Sequence, residues 1–261
     1  MAAAANDLDL DIMNNNNAFD DNQNNNNPAG PSVWIFGYGS LCWYPGFEYD
    51  QCITGYVRGY VRRFWQGNTT HRGTLEKPGR VATLIEEKDG ITWGCAFKVS
   101  GTLALDYLRQ RECTLGGYLT DYIKFFPRLA SEHSAISGEA FPALVYIATP
   151  KNDLWIGEEP IVETARQIAK CRGPSGHNVE YLVRLAMFMR EELPGASDEH
   201  LFELEGLVRR FVAEANLSIG TLLGDTPRPR IRRDSHENVR RHVSFEFTAR
   251  VPEKRLRCLH I

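Results

Sequence analysis

The hydrophobic pattern of this chain changes once along its length, and that change limits the folds open to it. Between residues 33 and 150 the apolar residues occur in short runs that are rich in β-branched and aromatic side chains and are bounded by glycine and proline. Such runs are typical of strands. From residue 160 onward the apolar residues recur at helical spacing. The sequence therefore predicts an α+β fold in which the strands come first and the helices follow.

The strand-rich part contains six runs that predict strands, at 33–37, 53–67, 80–87, 91–99, 121–127 and 142–150. Glycines interrupt the second run, which predicts a bent or bulged strand. The third and fourth runs flank Lys88-Asp89-Gly90. Because Asp-Gly suits the two-residue turn of a hairpin, we expect these two runs to pair with each other.

Four segments predict helices, at 102–113, 160–171, 178–193 and 197–215. In the first, helical spacing places Leu103 and Tyr107 on one face, which we expect to be buried. Asn178 and Ser197 stand where the third and fourth helices begin, and both residue types are good N-caps.

The two ends of the chain differ from the middle. Residues 1–31 are rich in Asn and Asp with almost no large apolar side chains, which predicts disorder. The domain is therefore expected to span 32–215. Residues 226–261 carry ten Lys and Arg against four Asp and Glu. We expect 216–261 to be a mobile basic tail that could bind a protein partner, with VSFEFTARV inside it as a candidate edge strand.

Composition excludes several classes of protein. The net charge is −3 and the pI is about 6.2, so neither nucleic acid nor an anionic membrane is an expected partner. No apolar run is long enough for a transmembrane helix, and acidic residues occupy the place of a signal peptide's basic region, which predicts a cytosolic protein. The six cysteines include no CxxC pair, so no metal site is expected.

The first strand ends in the sequence Gly37-Tyr38-Gly39-Ser40-Leu41. This sequence could simply form a tight turn. It could also form an anion site, because successive backbone N–H groups in a glycine turn can converge on a carboxylate or a developing oxyanion. In that case Ser40 would add a hydroxyl and Tyr38 a wall. Ser40 is a poor candidate for a nucleophile, because the G-x-S-x-G pattern and its following helix are absent.

Glu112 ends the short predicted helix and precedes Gly116-Gly117. The helix dipole disfavours a carboxylate at this end, and burial would also raise its pKa toward the range that suits a general base. An ordinary exposed glutamate is the simpler alternative. The later stretch 173–182 could be either a plain connection or a lid, and its His177 lacks a second metal ligand nearby in sequence.

Taken together in this order, these stretches resemble the ChaC family of γ-glutamylcyclotransferases, and in particular its glutathione-specific branch. The spacing between Arg111-Glu112 and Gly116-Gly117-Tyr118 resembles that of the family's stress-inducible subtype. In mammals this subtype is also described as a Notch antagonist. The matching stretches are VWIFGYGSL (33–41), RRFWQGNTTHRG (62–73), KPGRVATL (77–84), WGCAF (93–97), YLRQRECTLGGY (107–118), FFP (125–127), GPSGHNVEYL (173–182) and DEHLFELE (198–205).

The resemblance implies a γ-glutamylcyclotransferase-like fold, which is a small mixed β-barrel flanked by helices. It also implies the conversion of reduced glutathione to 5-oxo-L-proline and L-cysteinylglycine without a metal or organic cofactor. The family's catalytic glutamate falls on Glu112, and Tyr118 is implied as a pocket residue. The implied substrate-binding loop consists of Gly37, Tyr38, Gly39, Ser40, Leu41 and Cys42.

Two alternatives remain open on the sequence. The first is a binding-type regulator of Notch processing on the same scaffold, with activity incidental or lost. The second is a cyclotransferase for other γ-glutamyl amines, because the pocket for the leaving group cannot be identified from spacing alone.

Overall fold

The structure is a computed structural model that describes residues 32–128 and 138–224. The predicted disordered segment 1–31 lies outside the described residues, as do the candidate strand VSFEFTARV and the rest of the basic tail beyond residue 224. In the part that is described, no helix is long and apolar enough to cross a membrane.

Five strands form a closed barrel, in the order β1-β3-β2-β4-β5. β1 and β5 pair in parallel, with Ile35 opposite Leu144, and the other neighbours are antiparallel. The predicted mixed barrel is therefore confirmed. The strands are β1 (Ser32–Gly37), β2 (Gln51–Asn68), β3 (Gly79–Ser100), β4 (Leu119–Pro127) and β5 (Phe141–Ile147).

The predicted hairpin at Lys88-Asp89-Gly90 is wrong. Residues 79–100 form the single strand β3, and both predicted halves pair with β2 instead of with each other. Arg58 pairs with Ile91 and Tyr60 with Glu86, so residues 87–90 form a bulge opposite Gly59 alone. Gly59 has φ of +82°, a conformation that glycine adopts without strain. The predicted irregularity of β2 is confirmed by register shifts here and between Arg63 and Gln66.

Five helices and a small two-stranded sheet complete the described fold. The helices are α1 (Leu103–Leu108), α2 (Ile161–Lys170), α3 (Asn178–Glu192), α4 (Glu199–Glu214) and α5 (Ile219–Leu222). The small sheet pairs β6 (Arg172–Gly173) with β7 (Gly176–His177) between α2 and α3. α1 continues into a π-helical turn, Arg109–Thr114, which carries Glu112.

Three details of the predicted helices are wrong. The N-cap of α3 is His177, whose Nδ1 accepts from the backbone of Val179, and the N-cap of α4 is Asp198. Asn178 and Ser197 therefore do not cap these helices. Leu103 is 85% exposed, because α1 turns its Ala104 and Leu108 side toward the core.

A buried arginine connects the barrel to the helices. The Arg80 side chain on β3 is fully buried, and its Nε donates to Gln167 Oε1 of α2 at 2.7 Å. The backbone N–H and C=O of Arg80 bond to the Asn178 side chain at 2.6 and 2.8 Å. Because these bonds are buried and mutually satisfied, they fix the first turn of α3 against β3. Tyr181, one turn further along α3, consequently lies against Gly39 in the loop that follows β1.

Candidate active site

The glycine loop follows β1 and closes in a 3-10 turn, Ser40–Cys42. The backbone N–H of Cys42 donates to Gly39 O at 3.0 Å. A Cβ at position 39 would lie 2.6 Å from the Tyr181 hydroxyl, and one at position 37 would lie 2.8 Å from the Leu41 Cβ. Both glycines are therefore required by the close approach of neighbouring side chains, which a turn alone would not impose.

Tyr38 is anchored at both its ends. Its hydroxyl donates to Tyr146 O on β5 at 2.5 Å, and its backbone carbonyl accepts from Arg62 Nε at 2.9 Å. Burial raises the pKa of Tyr38 well above its ordinary value, and nearby Tyr181 and Glu112 add to the effect. The tyrosine therefore stays protonated and holds the loop across the barrel.

The rest of the loop divides into an outer and an inner part. Ser40 Oγ accepts from Arg111 Nη2 at 2.7 Å, so this residue faces the segment that carries Glu112. Leu41 and Cys42 are buried, and the Cys42 thiol donates to Gly37 O at 3.3 Å. These two side chains therefore pack beneath the loop and support its shape.

Glu112 lies in the π-helical turn with its side chain only 16% exposed. Its Oε1 is 3.0 Å from Arg111 Nε as an ion pair, without the alignment of a hydrogen bond. Within 32–128 and 138–224, no group donates a hydrogen bond to this buried oxygen. Burial raises the pKa of Glu112, and the attraction of Arg111 only partly offsets that rise. The site therefore holds a desolvated carboxylate with a free acceptor.

Tyr118 is brought back toward Glu112 by the end of the same segment, because its backbone N–H donates to Glu112 O at 3.0 Å. Gly117 makes this reversal with φ of +66°. The Tyr118 hydroxyl donates to Ala82 O at 3.0 Å, and the Ala82 N–H donates to the Tyr181 hydroxyl at 3.2 Å. Burial raises the pKa of Tyr118 well above its ordinary value and that of Tyr181 to about 12. Both phenols are thus neutral at physiological pH.

A sequence model of ChaC-like proteins matches residues 33–211. The chain belongs to the ChaC family. It is 52% identical, over 177 residues, to the glutathione-specific gamma-glutamylcyclotransferase 1 of Danio rerio. The aligned residues cover 67% of this chain and 87% of that protein. It is 36% identical, over 200 residues, to the glutathione-specific gamma-glutamylcyclotransferase of Schizosaccharomyces pombe. This alignment covers 70% of this chain and 95% of that protein.

A solved structure is similar to this ChaC chain along most of its described part. The crystal structure of a glutathione-specific gamma-glutamyl cyclotransferase from yeast matches with a TM-score of 0.62 at 30% identity, covering 69% of this chain and 96% of that one. The resemblance that the sequence motifs predict is therefore confirmed for both family and fold.

Two arginines of this ChaC site were not predicted from the sequence. Arg62 is fully buried, and besides Tyr38 O it contacts the Asp198 carboxylate and Trp93 O. Arg111 donates to Pro45 O at 3.0 Å as well as to Ser40. The signal for Arg62 is a charged residue on the same buried face of β2 as Phe64, since a charge at such a position is rare unless it is paired. Arg111 gives no such signal, because Ser40 and Pro45, which it contacts in the glycine loop and just beyond it, are far away in sequence.

The structure thus brings Glu112, Tyr118 and the outer part of the glycine loop to one end of the barrel, with Tyr181 beside them. In the ranges 32–128 and 138–224, no group of three or more His, Cys, Asp or Glu is placed to hold a metal ion. Burial keeps the nearby phenols protonated by raising their pKa values, and it also raises the pKa of the Glu112 carboxyl, which is the candidate acid–base group of this site.

Proposed function

We propose that this protein is a glutathione-specific γ-glutamylcyclotransferase, which converts reduced glutathione to 5-oxo-L-proline and L-cysteinylglycine. The observation that carries the proposal is the buried Glu112 carboxylate, whose Oε1 accepts no hydrogen bond from the described residues, beside a rigid glycine loop. Membership of the ChaC family and the names of its relatives support the same reaction.

The reaction is an intramolecular attack. The α-amine of the glutamyl group attacks its own γ-carbonyl carbon, a C–N bond forms, and the carbonyl oxygen becomes an oxyanion. When the carbonyl re-forms, the bond to the cysteinyl nitrogen breaks. Two protons leave the attacking nitrogen and two reach the leaving nitrogen, so a group that only carries protons ends the cycle unchanged. Nucleophile and electrophile belong to one molecule.

Glu112 is proposed to carry these protons. A free α-amine has a pKa of about 8, so it is mostly protonated at neutral pH and cannot attack until a base removes a proton. Because burial raises the pKa of Glu112, proton transfer from the ammonium is less uphill than it would be to an ordinary carboxylate. The attraction of Arg111 at 3.0 Å partly offsets the rise in the pKa of Glu112 and so favours the ionised carboxylate.

The glycine loop is proposed to bind the glutamyl group and to stabilise the oxyanion with backbone N–H groups of residues 37–41. The Arg111 guanidinium, bonded to Ser40 Oγ at 2.7 Å, places a positive charge beside this loop and favours an anion there. The Tyr38 and Tyr118 side chains, which are held by hydrogen bonds to Tyr146 O and Ala82 O, are proposed to form the walls of the substrate pocket. Holding the substrate folded back on itself in this way lowers the barrier, because the amine is kept in reach of the γ-carbonyl carbon.

A mass-spectrometric assay of the purified protein with reduced glutathione tests the proposal. We expect 5-oxoproline and cysteinylglycine from the wild type and from Glu163→Gln, a surface control, since Glu163 is 59% exposed. Glu112→Gln keeps the size of the side chain but removes the base, so we expect its rate to fall at least 100-fold. Products from Glu112→Gln at the wild-type rate would exclude Glu112 as the base and leave the reaction standing.

A second substrate is needed to measure the specificity of the enzyme for the amine that leaves. Glutathione and γ-glutamyl-lysine share the glutamyl group, so the ratio of their kcat/KM values reports how the enzyme handles the amine that leaves. We expect a clear preference for glutathione. A preference for γ-glutamyl-lysine would favour the cyclotransferase for other γ-glutamyl amines.

The C-terminal end of the domain is proposed to lie near residue 224, slightly beyond the boundary that the sequence predicts. The predicted boundary at 215 is followed by α5 and by Gly224, whose backbone N–H donates to Glu180 Oε1 on α3 at 3.0 Å. We therefore expect a chain that ends at residue 224 to keep its activity. A cytosolic location and a protein partner for the basic tail remain predictions. A cellular effect on Notch processing that survives Glu112→Gln would favour the binding-type regulator.

A further inference from the structure

Among the residues that the structure describes, two buried oxygen atoms near the site accept no hydrogen bond. In the described ranges, the buried side-chain atoms without a hydrogen-bond partner are Gln66 Oε1, Glu112 Oε1, Arg128 Nη1 and His200 Nε2. Gln66 contacts the segment that carries Glu112, because Gln66 Nε2 donates at 3.1 Å to the backbone O of Gly116, four residues after Glu112. A buried acceptor without a donor is costly and rare in native proteins, so two of them on contacting segments indicate a ligand that supplies donors.

The position of Gln66 on β2 directs its side chain toward the inside of the barrel. Gln66 is fully buried and pairs with Val81 of β3, so the two side chains share a face of the sheet. Thr83, two residues further along β3, shares that face, and its hydroxyl donates to Ala148 O at 3.0 Å, just beyond the end of β5, the strand whose Tyr146 O accepts from the Tyr38 hydroxyl. Gln66 therefore lies on the same side of the sheet as the anchored end of the glycine loop.

We propose that Gln66 is a substrate-binding residue whose Oε1 accepts a hydrogen bond from the α-amine of the γ-glutamyl group, while Glu112 binds the same amine from the segment that follows α1. This inference rests on the proposed function, since it names the part of the substrate that the two acceptors share.

The chemistry of an amide suits this role. An α-ammonium has three N–H bonds, and Glu112 removes one of those protons while Gln66 holds another. A neutral amide is too weak a base to take the proton, so it does not compete with Glu112. It can keep its hydrogen bond after the amine becomes neutral, and it then directs the nitrogen lone pair toward the γ-carbonyl carbon. The bond from Nε2 to Gly116 O fixes which end of the amide faces the amine.

The test compares reduced glutathione with its desamino analogue, glutaryl-cysteinylglycine, which keeps both carboxylates and the thiol but has no α-amine and cannot cyclise. For wild type and Gln66→Met, kcat and KM are measured with glutathione, and the analogue's inhibition constant is measured against it. We expect Gln66→Met to lower kcat/KM for glutathione by about 10-fold or more, as for a lost hydrogen bond to a charged group. The inhibition constant of the analogue should change less than about 2-fold.

Asn152→Ala is the matched control. Asn152 Nδ2 donates to the same Gly116 O at 3.0 Å and to Gly117 O at 2.7 Å, so it anchors the same segment from outside. A residue that only anchors this segment should weaken both ligands by the same factor. Equal weakening by Gln66→Met, or no change in either constant, would overturn the proposal.

Failure of the proposed function would be visible separately, as a folded wild type that makes no 5-oxoproline. The two ligands would then be titrated calorimetrically. A selective loss of glutathione binding in Gln66→Met would still support the amine contact, and an equal loss or no loss would overturn it.

Discussion

The buried guanidinium of Arg62 offers the sharpest test of how the site is supported. Arg62 has no exposed side-chain surface, and it contacts the Asp198 carboxylate, Trp93 O and Tyr38 O. Arg62→Met keeps the length of the side chain and removes every one of these bonds. The Asp198 carboxylate, which is only 11% exposed, then loses its counterion while it still caps α4.

The loss of stability expected for Arg62→Met follows from the burial of this ion pair. Removing one partner of a buried ion pair typically destabilises a protein by about 3–5 kcal/mol, because the other charge stays desolvated. That is a large share of a total stability of about 5–15 kcal/mol. For a domain of this size we expect the melting temperature to fall by roughly 6–20 °C. Because the Tyr38 carbonyl loses its donor, kcat/KM for glutathione should also fall at temperatures where the variant is folded.

Urea unfolding, followed by circular dichroism, measures the change. The matched control is Arg210→Met, which removes a surface pair whose side chains are about 60% exposed, 58% and 61% respectively. This control should cost less than about 1 kcal/mol. Asp198→Asn, added to Arg62→Met, should recover part of the loss, because the amide still caps α4 but carries no buried charge. A loss below about 1 kcal/mol for Arg62→Met at an unchanged m-value would refute this reasoning.

Three further predictions concern protonation and packing. The activity should fall as the pH drops below the raised pKa of Glu112, and Arg111→Gln should move that limb of the kcat/KM profile to higher pH. Gly39→Ala should abolish most activity because its Cβ would lie 2.6 Å from the Tyr181 hydroxyl, and adding Tyr181→Phe should restore part of it. Burial lowers the pKa of His200 from 6.5 to about 4, so the unfolded chain binds more protons between these values. Stability should therefore fall by about 3 kcal/mol as the pH drops through this window, and His200→Gln should remove that dependence in urea unfolding at a series of pH values.

The sequence predicts elements well where the signal is local. Strands and helices follow from the change of hydrophobic period, and the order of motifs predicts the mixed barrel. The hairpin fails because Asp-Gly is a local signal, whereas the pairing of both halves of β3 with β2 depends on a bulge opposite Gly59. The cap of α4 is displaced by one residue because Ser197 and Asp198 are adjacent and equally suited.

The site is predicted only in part for the same reason. Glu112 and the glycine loop stand out because each has an unusual local sequence. The roles of Arg62, Gln66 and Arg111 depend on partners 24, 50 and 71 residues away. Spacing along one chain carries no information about such pairs, so only the folded barrel shows that these residues meet.

The parallel pairing of β1 with β5 has a consequence for when activity can arise. The predicted site residues all lie between 37 and 118, yet the Tyr38 hydroxyl is held by Tyr146, 108 residues away. Joining segments so distant costs loop-closure entropy, and contacts of this kind slow folding. During synthesis, a chain that has emerged only as far as residue 118 contains every predicted site residue but lacks the strand that closes the ring. In such a chain the Tyr38 hydroxyl has no Tyr146 carbonyl to bond, so the glycine loop is not held in place. We therefore expect an incomplete chain to have no activity on glutathione.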